Sequence, residues 1–186
     1  GQAYKGEGDM SNVELALNLA DAGFAVFPVR FDEKKKKKKP YTENGHLNAT
    51  RDPGVITDLW EKHPYARVGV PAGENNLVVA DIDVKNGVDG WESLDKAGLT
   101  LPHTFSYQTG TGGSHFVYRA PQDIKLNGLS KYRRMDGFDR RGGSSWVMWV
   151  SEEIPMEWEL EDAPEWLCDP AREITLDSFE GDLQTW

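Results

Sequence analysis

One cysteine, Cys168, occurs among 186 residues. A lone thiol excludes an internal disulfide framework and any zinc site built on paired cysteines. No apolar run approaches the ~20 residues of a membrane-crossing helix, and no signal-peptide pattern opens the chain. A cytoplasmic protein with no membrane partner is therefore the expectation. Nothing ends in Gly-Lys-Ser/Thr after a glycine loop, so a Walker-type nucleotide site and a helicase motor are lacking. No His-x-His pair accompanies a tyrosine in the manner of a rolling-circle nickase, and there is no internal repeat. The chemistry is left to carboxylates, histidines and hydroxyls.

Charge of one sign is scarce in the body and abundant in the tail. The net charge is −10, but residues 151–186 hold 12 acids against Arg172 alone, which is −11. Residues 1–150 hold the other 19 acids against 20 Lys and Arg, which is +1. The acidity belongs to the tail, so it does not argue against a nucleic-acid-binding body.

Residues 1–9 have no periodicity and read as an expression remnant or a disordered start. Ser11-Asn12-Val13-Glu14 forms a capping box ahead of an apolar stripe at Leu15, Leu19 and Ala22. Gly23 ends that helix and FAVFPVR (24–30) follows as a strand. Six lysines, Lys34 to Lys39, then run up to Pro40. Asp52-Pro53 caps a helix that buries Ile56, Leu59 and Trp60 and stops before Pro64. Strands are predicted over 67–70, 77–83, 104–109 and 114–119, with a helix over 87–98 that buries Trp91. Residues 137–141 and 146–150 are expected to form a hairpin through GGSS, and ITLDSFEGDLQTW a C-terminal helix. Trp146 and Trp149 fall on opposite faces of one strand, which allows one of them to be exposed but does not require it. Strands interleaved with helices give an α+β or mixed α/β domain.

Three short segments draw attention. In LVVADID (77–83), strand alternation puts Asp81 and Asp83 on one face, at the end of a five-residue apolar run. Paired buried anions call for an arginine, for solvent, or for a hard divalent cation with oxygen ligands. In TGTGGSHFVYR (109–119), Gly110, Gly112 and Gly113 let backbone amides approach an anion, and Ser114 and His115 open the following strand. The plain alternative is a glycine hairpin with a surface histidine. In GFDRRGG (137–143), Asp139 is either an ion-pair partner of a neighbouring arginine or a third metal ligand. Arg141 would then contact a triphosphate or a template. The lysine run, including Lys39, is either a solvated mobile loop or a clamp for template or triphosphate.

Acid-x-acid, small-x-His and hydrophobic-acid on three successive strands resemble the signature of the archaeo-eukaryotic primase superfamily. More closely, the chain resembles the prim-pol (bifunctional primase/polymerase) domains of phage and plasmid replication proteins, over roughly residues 11 to 165. The shared elements include AVFPV, Lys39-Pro40, NATRDPGVITDLW ahead of VGVPAG, VVADIDVKNG, TGTGGSH and FDRRGG. The resemblance implies an RRM-like sheet joined to a second α/β subdomain, with the active site in the cleft between them. It implies that Asp81, Asp83 and Asp139 are catalytic and bind two divalent ions, Mg²⁺ or Mn²⁺. It also places the incoming nucleotide against Gly112, Gly113, Ser114, His115, Arg141 and Lys39. The implied partners are single-stranded DNA template, primer and NTP or dNTP, with a helicase domain often following in such proteins and a bacterial host cytoplasm as the setting. The catalytic domain is drawn at 10–165, leaving 166–186 as an acidic extension. The chain departs from the family in SSWVMWV, where a tyrosine-valine run ending in a double proline and serine is usual, and in the uniformity of the lysine run.

Two rivals use the same residues. A haloacid-dehalogenase-like phosphohydrolase would take Asp81 as nucleophile and Asp83 as acid/base, but its later lysine and acid pair have no match. A non-catalytic single-strand-binding module of a replication initiator would use the lysines and arginines alone.

Overall fold

The computed structural model describes residues 10–110 and 112–170. The segments read as an expression remnant (1–9) and as a C-terminal helix lie outside the described residues. Two four-stranded antiparallel sheets and three short helices make an α+β fold.

The first helix, α1 (Asn12–Asp21), starts where the Ser11 hydroxyl accepts from the amide of Glu14, and it buries Leu15, Ala16 and Leu19. The second, α2 (Pro53–Lys62), is capped by the Asp52 carboxylate and buries Ile56 and Trp60. Both lie against the sheet formed by β1 (Phe27–Asp32), β2 (Lys37–Pro40), β3 (Arg67–Pro71) and β10 (Trp146–Trp149), in the order β10-β3-β1-β2. The other sheet has the order β7-β8-β4-β9, from β4 (Leu77–Ile82), β7 (Ser106–Gln108), β8 (Ser114–Arg119) and β9 (Phe138–Arg141). A two-stranded ribbon, β5 (Val84–Lys85) with β6 (Val88–Asp89), leads into α3 (Gly90–Ala97).

Strand β4 shows how the core positions the chemistry. All six of its residues are buried, because the strand is covered on both faces. Leu77 and Val79 join Val68, Val70 and Val147 of the first sheet and the inward faces of α1 and α2 in one core. Val78, Ala80 and Ile82 pack on the opposite side with Leu94 of α3, Tyr118 and Phe138. By alternation, Asp81 continues the Leu77–Val79 row at the point where the first core gives out.

Four expectations change. Residues 137–141 and 146–150 are not a hairpin: β9 pairs with β4, and β10 pairs with β3 in the other sheet. The intervening GGSS is a crossing between sheets, anchored where Gly73 donates to the Gly143 carbonyl and Ala72 to that of Ser145. The lysine run is ordered strand at its end, Lys37–Pro40 pairing with β1 in register Val29↔Pro40 to Asp32↔Lys37. The helix predicted over 87–98 begins at Gly90, because Asp89 closes the ribbon and caps Trp91 and Glu92. Trp91 on its first turn is 41% exposed rather than core, its ring resting edge-on against Phe116. Trp60 is buried as expected, and of the β10 pair Trp149 is the buried member while Trp146 meets Phe27 edge-to-face.

Candidate active site

Three adjacent strands of the second sheet, β8, β4 and β9, line up the three motifs. In the β4–β8 register Asp81 lies opposite His115, and in the β4–β9 register it lies opposite Asp139. Directly opposed residues in antiparallel strands share a face, so all three side chains emerge on the side that looks toward the first sheet. Asp83 follows the end of β4. Its amide donates to the Gly137 carbonyl at 2.8 Å and its carbonyl accepts from Gly90 at 2.9 Å. Gly90 and Gly137 pack backbone to backbone here, and a Cβ on either would collide with the other.

The resulting cleft between the sheets has a volume of about 430 Å³. One wall carries Asp81, Asp83, His115 and Arg141, and the other carries Phe31, Lys38 and Met148. Thr109 and Gly110 of the glycine loop form part of its rim. Gly112 takes a φ of +84°, and Gly113 lies so close to the Ile82 carbonyl that no side chain fits, which brings the glycine loop down onto the end of β4.

Asp81 is the hub. Arg141 donates to its Oδ2 through Nη2 at 3.0 Å and Nε at 3.2 Å, and the same Nη2 reaches Asp139 Oδ2 at 3.4 Å. His115 Nε2 stands 3.4 Å from Asp81 Oδ1, and its Nδ1 is 2.8 Å from the Tyr107 hydroxyl. Facing a carboxylate, Nε2 carries a proton, so in the neutral ring Nδ1 accepts from Tyr107. Burial and the nearby Asp81 charge hold the Tyr107 phenol well above its usual range, so it remains a donor. Asp139 Oδ1 accepts the Lys131 amide at 2.9 Å.

The two acids of the D-x-D pair are pushed in opposite directions. Burial works to raise Asp81, but the His115 and Arg141 contacts outweigh it and bring the carboxyl from 3.8 to about 2. Burial and then the Asp81 charge push Asp83 up, with Asp139 adding to the effect. Burial lowers Lys38 against the pull of Asp81, and Arg141 and Lys85 lower it further.

Because the folded state depresses Asp81, its contribution to stability is complete above 3.8 and is lost as pH falls toward about 2. The contribution is about 2 kcal/mol. Urea titrations at stepped acid pH are expected to show this loss in the wild type and a flatter acid limb in Asp81→Asn; equal limbs would refute it.

The structure thus brings Asp81, Asp83, His115 and Arg141 to one cleft, with Asp139 joined through Arg141. Ser114 begins β8 opposite Ile82. Lys39 is exposed opposite Arg30, on the face of β2 that points away from the cleft. Lys38, its neighbour, is the lysine that lines the cleft, together with Lys36 and Lys85. Sequence reasoning missed Lys38 and Tyr107. Neither carries a motif of its own: Lys38 gains a cleft-facing side only once β2 pairs with β1, and Tyr107 meets His115 only once β7 pairs with β8.

Among the described residues, no three His, Cys, Asp or Glu side chains are gathered closely enough to hold a metal ion. The Arg141 guanidinium supplies the positive charge between Asp81 and Asp139. The donor chemistry still suits a hard divalent cation, since three carboxylates share the site and their repulsion is what helps to raise Asp83.

The model of one protein family, described as bifunctional DNA primase/polymerase, N-terminal, matches residues 16–174. No curated protein matches the chain.

Proposed function

The chain belongs to the bifunctional DNA primase/polymerase family, and we propose that its cleft joins nucleotides on a single-stranded DNA template, starting primers and extending them. The observation that carries this reading is the meeting of Asp81, Asp83, Asp139, His115 and Arg141 at adjoining strand ends, opposite Lys38. A phosphohydrolase built on Asp81 and Asp83 leaves the His115–Tyr107 pair and the glycine loop at the rim without a role. In finer detail, we read the β7-β8-β4-β9 sheet as the RRM-like half of an archaeo-eukaryotic primase core and the other sheet, with α1 and α2, as the second subdomain.

In this mechanism the primer 3′-oxygen attacks the α-phosphorus of an NTP or dNTP, and the bond to pyrophosphate breaks in line. Two Mg²⁺ or Mn²⁺ ions, held by Asp81, Asp83 and Asp139, would supply Lewis-acid stabilisation of the nucleophile and the leaving group. His115, fixed by Tyr107, donates a hydrogen bond from its Nε2–H to a phosphate oxygen. Arg141 exchanges the carboxylates for the triphosphate, where its planar fork matches phosphate geometry. Lys38 neutralises charge from the opposite wall, and Gly112 and Gly113 bring the loop amides within reach. Primer, template and nucleotide are the partners. A helicase domain beyond this chain and a phage or plasmid replicon in a bacterial cytoplasm are the proposed setting.

Primer extension on single-stranded DNA with Mg²⁺ or Mn²⁺ tests the reading. The wild type is expected to give a product ladder, and Asp139→Asn to lose it by on the order of a thousandfold. A wild-type protein that binds template but never extends it would favour the binding-module alternative instead.

A further inference from the structure

The polymerase cleft does not account for the larger groove beside it, about 770 Å³, or for the outward lysines of β2. That groove adjoins the cleft, and Phe31, Glu33, Arg67 and Val150 line both. From this shared wall it extends past Arg30 to Tyr41 and Tyr65.

Its chemistry is that of a strand-binding surface. Tyr65 is 53% exposed and Tyr41 38%, well beyond what a packing role requires. Tyr41 is already held flat, stacked on His63 with ring centres 4.0 Å apart. Arg67 lies over the Phe31 ring at 5.6 Å, making an aromatic–guanidinium platform where cleft and groove join. The two acids in the groove are engaged: Glu33 pairs with Arg67 at 3.1 Å, and Glu152 accepts the Met10 amide at 2.9 Å. Arg30, by contrast, has no ion-pair partner among the described residues, and neither do Lys37 and Lys39. Arg30 stands directly opposite Lys39, and two rows on, Asp32 stands opposite Lys37 on the same face. Like charges directly opposed across strands are destabilising, so the Arg30–Lys39 pair is a cost that a polyanion would relieve. The hairpin is therefore two-sided: Lys38 faces the cleft, and Lys37 and Lys39 share the opposite face with Arg30, which lines the groove.

We propose that the single-stranded DNA template runs from the cleft across the Phe31–Arg67 platform into this groove, stacking bases on Tyr41 and Tyr65 while Arg30 and Lys39 hold its phosphates. Aromatic platforms interleaved with cations are how sequence-tolerant single-strand binders grip their ligand. The assignment rests on the polymerase reading for the direction of the strand.

The test is binding of fluorescein-labelled primer–template to the whole chain, followed by anisotropy. One overhang ends inside the cleft, and the other is long enough to enter the groove. Tyr41→Ala/Tyr65→Ala is expected to weaken the long-overhang complex by about tenfold or more and to leave the short-overhang complex unchanged. Tyr65→Trp should retain the affinity. Lys39→Glu with Arg30→Glu should reduce the salt dependence for the long overhang alone. Bromouracil placed in the distal overhang should crosslink to Tyr65 or Tyr41. Equal affinities for the two overhangs in the wild type, or a double variant that binds and extends the long overhang normally, would overturn the groove assignment while leaving the polymerase reading intact. A wild-type chain that binds neither DNA would overturn both.

Discussion

Asparagine in place of Asp83 is expected to abolish primer extension and, at the same time, to make the protein more resistant to heat. The two effects share one cause. Burial and the neighbouring Asp81 charge push the Asp83 carboxyl above its ordinary 3.8, and Asp139 adds to the push. A raised carboxyl is one whose ionised form the fold disfavours, so above that value the folded state bears a cost that is absent when the group is protonated. Asparagine has nearly the same shape and no charge. Asp83 is partly exposed, so solvent screens the repulsion and the gain is modest, about 1–3 °C in Tm at neutral pH. The loss of activity should be on the order of a thousandfold or more, because one of the carboxylates that would hold the divalent ions is removed.

Thermal melts at neutral and acid pH distinguish this from a general packing effect. Near pH 3 Asp83 is protonated in the wild type as well, and the stability advantage of Asp83→Asn should disappear there. The sign should reverse for Asp81→Asn, since His115 and Arg141 hold Asp81 at about 2 and its charge stabilises the fold. Two neighbouring acids with opposite stability effects and the same catalytic effect would be difficult to obtain from anything but a site built around charge. A lower Tm for Asp83→Asn, or residual extension near the wild-type rate, would defeat the argument.

Much of this was legible in the sequence because it depends on local chemistry. The caps at Ser11 and Asp52 fix the starts of α1 and α2 from a few adjacent residues. The LVVADI run (77–82) marks β4 because its four leading apolar residues ask for burial on both faces of a strand, and all six of its residues are buried. Asp81, Asp83, His115, Asp139 and Arg141 were each singled out from their motifs. The pairing of strands was not legible. A Gly-Gly-Ser-Ser turn between two apolar strands has the local chemistry of a hairpin, and only the long-range contact of Gly143 with Gly73 sends β10 to the other sheet. Lys38 was hidden for a related reason. Lysine has low strand propensity, and only pairing with β1 gives the run an inward and an outward face. Tyr107 became visible only when β7 was laid against β8 and its hydroxyl met the far side of His115.

Methionine in place of Arg140 is expected to cost about 3–5 kcal/mol, since several buried acceptors at ~1–3 kcal/mol each lose their donor, and to lower Tm on the order of 10 °C. Arg140 lies between Asp139 and Arg141 on β9 but points to the opposite face, where it is fully buried. Its guanidinium has no carboxylate among its hydrogen-bond acceptors. Nε donates to the Asn127 carbonyl at 3.0 Å and Nη2 to the Asn127 side chain at 3.1 Å. Nη1 donates to the carbonyls of Leu167 at 3.1 Å and Asp169 at 2.6 Å. The Tyr132 ring lies 4.9 Å from the guanidinium carbon, and its hydroxyl donates to the Trp166 carbonyl at 2.6 Å. Asp169 is meanwhile held by a two-pronged contact from Arg133, 2.8 Å on each side. Packing therefore continues through Leu167 and Cys168, past residue 165 where the sequence suggested a boundary. Methionine fills most of the volume but leaves four acceptors without a donor, and an orphaned buried acceptor costs more than a hydrogen bond contributes. Arg140→Lys should recover only part of the loss, because an ammonium cannot span acceptors on both Asn127 and the 167–169 segment. Hydrogen exchange should report release of residues 163–169 before global unfolding, since this fork holds the carbonyls of both Leu167 and Asp169. The same release would loosen β9, and Asp139 and Arg141 reach the cleft from its other face. Activity should therefore fall more steeply with temperature in the variant than stability alone predicts. Urea midpoints within error of the wild type would refute the clasp, and unchanged exchange at 163–169 would refute its location.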